Sequence, residues 1–168
     1  MTPHSLADLF MRQLRKLEDI ELQHCAVLPL LAAGATAPEL RDFLALHIEE
    51  TRRQVVRLQE IFHQLGIEQS CEPCATMEGL VAECEELVSG TAPGPVRDAA
   101  LIAAAQCIEH HEIAAYGTAR TFARRLGFSD IPELLQQSLT EEVEADRELT
   151  CLAEGSLFQM GLNQLANA

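Results

Sequence analysis

Four long stretches of this sequence place apolar residues at three- and four-residue steps, and each stripe is interrupted by a glutamate in its middle. Leu14, Leu17, Cys25 and Leu28 flank Glu21, and Phe43, Leu46 and Leu58 flank Glu50. Ala105, Ile108, Ala115 and Tyr116 flank Glu112, and Leu135, Leu139, Ala145 and Leu149 flank Glu142. That spacing is the signature of one buried helix face, so the glutamates are placed inside the core they interrupt.

Punctuation divides the chain. The first helical pattern covers residues 5–31 and stops at Ala33-Gly34. Thr36 and Glu39 have capping-box spacing and start a second helix that runs to about Leu65 and stops at Gly66. A polar connection, residues 68–73, leads to a shorter helix over residues 76–88. Residues 89–95, with Gly90, Pro93, Gly94 and Pro95, then break the chain. A third long helix spans residues 96–126, ending at Gly127. Asp130, with Pro132 and Glu133, is placed to cap a fourth that runs to about Glu154. Residues 155–168 form a tail with one further short helix.

Two long hairpins joined by a longer crossover make an all-α, ferritin-like four-helix bundle, with the short helix in the crossover. The whole chain, residues 1–168, reads as one such domain with its core at about residues 5–154. Composition agrees: aromatic residues are 4% of the chain, with no Trp and one Tyr. A core of small and aliphatic side chains suits close-packed helices, and strand-like runs of Val, Ile and Tyr are absent.

Laid over each other, the hairpins repeat. Glu50 follows Glu21 at nearly the interval by which Glu142 follows Glu112. Glu109 precedes Glu112 by one turn; Gln54 and Asp146 follow Glu50 and Glu142 by one turn; His47 precedes Glu50. An unpaired carboxylate in a dry core costs several kcal/mol or stays protonated. Four of them call for cationic compensation, and Arg53 and Arg57, near Glu50, are the nearest basic residues. Two divalent ions would balance the four carboxylates of Glu21, Glu50, Glu112 and Glu142, and Asp146 as a fifth would favour a more oxidised pair, with Gln54, His47 and Glu109 as further ligands. Oxygen-rich ligands suit iron, or manganese, better than copper or a structural zinc. Tyr116 and His110 are expected beside the ligands, as hydrogen-bonding neighbours.

The net charge of −14 excludes a phosphate-binding surface for nucleic acid or anionic membrane. Residues 1–8 carry no apolar export signal and no stretch is apolar enough to span a bilayer, so a cytoplasmic location is expected. The six cysteines then read as reduced. Cys71 and Cys74 form a lone C-x-x-C, without the second ligand pair of a zinc site or the βαβ context of a thioredoxin, and read as surface thiols.

Residues 96–106, Glu109-His110, Glu112-Ile113-Ala114 and Tyr116-Gly117-Thr118 resemble the YciE/YciF family of ferritin-like stress proteins. So do His47-Ile48-Glu49-Glu50-Thr51 with Gln54, Cys74 through Leu80, and Leu149-Thr150. The resemblance implies a homodimer with a rubrerythrin-like dinuclear metal centre, its carboxylates at Glu21, Glu50, Glu112 and Glu142. Ferritin-like sites often carry Glu-x-x-His on the second and fourth helices. Arg53 and Ala145 stand where those histidines would fall. The expected function is oxidation of Fe(II) by O2 or peroxide in stress protection, with a catalase-like dimanganese centre as a variant. The alternative is a non-enzymatic stress or scaffold protein that uses the bundle to bind a partner.

Overall fold

The computed structural model describes residues 3–156 and 159–167. Helix α1 is Leu6–Gly34, α2 is Pro38–Gln64, α3 is Ala75–Gly90, α4 is Pro95–Arg125 and α5 is Ile131–Glu154. Two short strands, β1 (Gly155–Ser156) and β2 (Gln159–Met160), pair antiparallel before α6 (Leu162–Ala166). The architecture is the expected one. Helices α1 and α2 form one hairpin, α4 and α5 the other, and α3 lies in the crossover, packed on α1 and α4. Helix α6 folds back on α4 and α5.

Local chemistry fixes the ends. Ser5 and Asp8 close a reciprocal capping box at the start of α1. Helices α2 and α4 end alike. Gly66 and Gly127 take positive φ, so the Ile67 and Phe128 amides reach back to the carbonyls of Phe62 and Ala123.

Two expected caps are replaced. Thr36 does not cap α2. Its hydroxyl accepts from the Gly94 amide, and the Asp98 carboxylate accepts the amides of Thr36 (2.6 Å) and Ala37 (2.9 Å). A full charge delivered from α4 is a stronger acceptor than a local hydroxyl, and it ties the second hairpin to the start of α2. Asp130 has helical φ/ψ and makes no side-chain cap. Its carbonyl, rather than its carboxylate, accepts from Glu133 and Leu134. The two-residue strand pair has no sequence signal.

The apolar stripes of α1, α4 and α5 meet as expected, whereas on α2 Leu46 is 71% exposed and the buried face runs through Leu44, His47, Gln54 and Leu58, which leaves Glu50 at its edge. Leu14, Leu17, Leu28 and Leu31 of α1 are buried with Leu40, Leu44 and Leu58 of α2, Leu101, Ala105 and Ile108 of α4, and Leu135 and Leu149 of α5. At about 1.5–3 kcal/mol for each fully buried aliphatic side chain, these layers hold the bundle together above and below a central band that is not apolar. That band contains Glu18, Glu21, His24, His47, Gln54, Glu109, Glu112 and Glu142, all buried.

Candidate metal centre

Each long helix contributes to the band, through residues one or two turns apart on α1, α2 and α4 and through a single residue on α5. Helix α1 presents Glu18, Glu21 and His24; α2 presents His47 and Gln54; α4 presents Glu109 and Glu112; α5 presents Glu142. The helix period puts such positions on one face, and the leucines on that face turn it inward.

The side chains converge. His24 Nδ1 lies 3.0 Å from Glu112 Oε2. His47 Nε2 lies 3.2 Å from Glu109 Oε1 and 3.9 Å from Glu142 Oε2. The two imidazoles meet edge to face, with ring centroids 5.2 Å apart. Gln54 Nε2 donates to Glu142 and, at 3.1 Å, to Glu141. The Tyr116 hydroxyl donates to Glu21. Two groups of three residues can each bring their ligand atoms within 4.8 Å of one another: His24, His47 and Glu109; and Glu109, Glu112 and Glu142. Glu109 belongs to both.

Burial sets the protonation. It pushes the Glu21, Glu112 and Glu142 carboxyls well above the ordinary range, and the neighbouring carboxylates push them further. Burial lowers His24 to about 4. It opposes a charge on His47 too, but the Glu109 carboxylate outweighs it, and His47 rises to about 10. Glu109 is correspondingly held low: burial raises it, and the charge and hydrogen bond of His47 more than compensate. The metal-free band therefore holds a His47–Glu109 ion pair beside Glu21, Glu112 and Glu142, whose carboxyls burial biases toward the protonated form, and beside His24, whose imidazole burial biases toward the neutral form.

The donor set fits a metal. Glu21 Oε2, His24 Nε2 and Gln54 Oε1 are buried without a hydrogen-bond partner among the described residues. A buried orphan acceptor costs about 1–3 kcal/mol, so several in one dry band mark an arrangement completed by something cationic.

The structure sorts the sequence candidates. Glu21, Glu112, Glu142, Glu109, His47 and Gln54 come together. Glu50 stands at the outer edge, its side chain 38% exposed, held by His47 Nδ1 at 3.4 Å and Arg53 at 3.5 Å. Its carboxyl is lowered by the hydrogen bond from His47. Asp146 does not join the band. It faces Gln106, at 3.1 Å, and His110, at 3.3 Å, because one residue beyond Ala145 the α5 surface has turned toward the flank of α4. His110 is likewise on the outside, its side chain 66% exposed, since each step along α4 rotates about 100° away from Glu109. Tyr116 is where it was expected. Arg57 pairs with Glu141, at 2.9 Å, rather than with Glu50.

His24 is the ligand-capable residue that sequence reasoning missed. Its signal was present: Glu21-Leu22-Gln23-His24 is a Glu-x-x-His, on the first helix rather than the second or fourth. Cys74, expected at the surface, is buried with Sγ 3.4 Å from His111 Nε2, while Cys71 is exposed.

The family described as a domain of unknown function, DUF892, matches residues 5–161. The chain belongs to the DUF892 family. It is 37% identical to protein YciF of Escherichia coli K12, over 98% of this chain and 99% of that one. Two solved structures share its fold. YcfI from Rhodopseudomonas palustris has a TM-score of 0.87 at 37% identity, covering 89% of this chain and 96% of its own. The E. coli stress protein YciF has a TM-score of 0.86 at 36% identity, covering 89% and 95%. The resemblance to the YciE/YciF family is thereby borne out. No helix among the described residues is long and apolar enough to cross a membrane.

Proposed function

We propose that this DUF892 protein holds two metal ions in the central band and oxidises Fe(II) with O2 or hydrogen peroxide, as cytoplasmic protection against metal-driven oxidative stress. The observation that carries the reading is the pair of ligand groups sharing Glu109, built from buried side chains of all four long helices. His24, His47 and Glu109 would hold one ion and Glu109, Glu112 and Glu142 the other, with Glu21 as a further carboxylate beside them. Iron bound there supplies one-electron redox chemistry: two Fe(II) give two electrons, and one H2O2 with two protons becomes two waters. Manganese is the alternative occupant, because the ligands are mostly hard oxygen donors.

The chain's own part is positioning and proton management. Tyr116 and Gln54 fix the orientations of Glu21 and Glu142. The neutral acids release protons when they become ligands. Core leucines on either side keep bulk water out. The stress role is supported by the likeness to the E. coli stress protein YciF. A homodimer is part of the proposal, and the −14 charge argues against a nucleic-acid partner.

Anaerobic addition of Fe(II) followed by O2 or H2O2 tests it. Wild type should oxidise Fe(II) with repeated turnover, and Glu142→Ala and Glu109→Ala should not. Fe(II) oxidation no faster than in buffer would favour the scaffold reading instead.

A further inference from the structure

The central band is closed on most sides by leucines, yet one seam reaches it. The seam between α2 and α5 is the most loosely packed of the four between neighbouring long helices. A cavity of about 130 Å³ lies in it, lined by Phe43, Leu46, His47 and Glu50 of α2 and by Glu141, Glu144, Ala145 and Glu148 of α5. A water molecule needs roughly 10–15 Å³ of such space, so the cavity has room for a cation with part of its hydration shell.

Its chemistry is graded from outside to inside. Glu144 and Glu148 are exposed at the mouth, one turn apart on α5, and make no hydrogen bond or ion pair among the described residues. Glu141 is neutralised by Arg57, and Glu50 is shared between Arg53 and His47. The floor is His47, its side chain 1% exposed. Its Nδ1 faces Glu50 outside at 3.4 Å, and its Nε2 faces Glu109 inside at 3.2 Å. The ring is held in plane against Phe43, centroids 5.7 Å apart. Like charges set along a helix seam cost stability and loosen it; Ala145 leaves the gap unfilled. Arg53, Arg57 and His47 offset Glu50 and Glu141, so the uncompensated charge is that of Glu144 and Glu148, and a mouth carrying one sign of charge concentrates counter-ions and raises their association rate by roughly 10–1,000-fold.

We infer that the α2–α5 cavity is the entry route for divalent cations, with Glu144 and Glu148 collecting them at the mouth and the His47 ring separating the acidic vestibule from the band. This rests on the metal-centre reading. A cation passes from Glu144 and Glu148 at the mouth to Glu50, at the outer face of the His47 ring.

The test is the rate of Co(II) uptake by the metal-free full-length protein, followed by visible absorbance at low ionic strength. The E144Q/E148Q double variant should fill about tenfold more slowly than wild type and reach the same final Co(II) content. Leu46→Trp, which narrows the mouth without altering charge, should also slow filling. An E85Q/E86Q control on α3 removes the same charge far from the seam and should fill at the wild-type rate. Unchanged uptake by E144Q/E148Q, or an equal slowing in the α3 control, overturns the route while leaving the metal centre standing. A wild type that takes up no Co(II) overturns both.

Discussion

His47 Nε2 sits 3.2 Å from Glu109 Oε1 with both side chains 1% exposed, an ion pair buried at the centre of the bundle. The pair makes the acidic band tolerable without metal: one carboxylate keeps its charge because one imidazole keeps its proton, and burial biases Glu21, Glu112 and Glu142 toward the protonated form. Removing one partner strands the other. Glu109→Gln should destabilise the metal-free protein by about 3 kcal/mol. It should also lower the His47 titration, followed by NMR, from about 10. A His47 titration unmoved by the substitution would refute the pairing.

Stability of the metal-free protein should fall as pH rises. Glu21, Glu112 and Glu142 have raised folded-state values, so above their ordinary 4.5 the unfolded chain sheds protons that the folded chain retains. His47 adds in the same sense: its contribution is complete below 6.5 and disappears as pH rises through about 10. His24 opposes, because its folded value near 4 favours the native state above 6.5 and loses that advantage toward pH 4. Three acids and one imidazole outweigh one imidazole. Thermal unfolding should therefore give a higher Tm at about pH 5.5 than at pH 8.5, each proton contributing about 1.4 kcal/mol per pH unit. A rising Tm over that range would contradict the assignment.

Metal binding should release protons. Glu21, Glu112 and Glu142, whose carboxyls burial biases toward the protonated form, and His47, raised to about 10, must give up protons to become ligands. Titrating Mn(II) into weakly buffered protein with a pH indicator should acidify the solution by more than one proton per ion. Proton-neutral binding would mean the ions sit elsewhere.

Tyr116→Phe should reduce metal affinity about tenfold and leave the fold intact. The hydroxyl it removes orients Glu21, and ligand-orienting hydrogen bonds carry effects of that size. The comparison is between Mn(II) affinities of the two proteins, with circular dichroism as the check on folding.

Asp98→Ala separates fold from site. It frees the Thr36 and Ala37 amides and should cost about 2 kcal/mol in urea unfolding, with Mn(II) affinity unchanged.

The helices were legible because their ends are set locally, by Gly66, Gly127 and the breaks at residues 89–95, and their buried faces by the leucine period. The caps at Thr36 and Asp130 were misread because capping there is decided by distance in space: Asp98 is far along the chain and adjacent to Thr36 in the bundle. The site divides similarly. Glu21, Glu112 and Glu142 stand in the middle of apolar stripes, so periodicity alone placed them inside. Asp146 was chosen by chain proximity to Glu142, and the turn of α5 carries it to the flank, where Gln106 meets it. His24 was passed over because a histidine was sought on the second and fourth long helices, whereas the bundle's interior is reached equally well from α1.

The most direct test of the central claim is metal stoichiometry. Protein incubated anaerobically with Fe(II), freed of excess metal and assayed for iron should retain two ions per wild-type chain, and fewer than one after Glu109→Ala or Glu142→Ala. Wild type that emerges without iron, or variants that retain as much as wild type, would contradict the account.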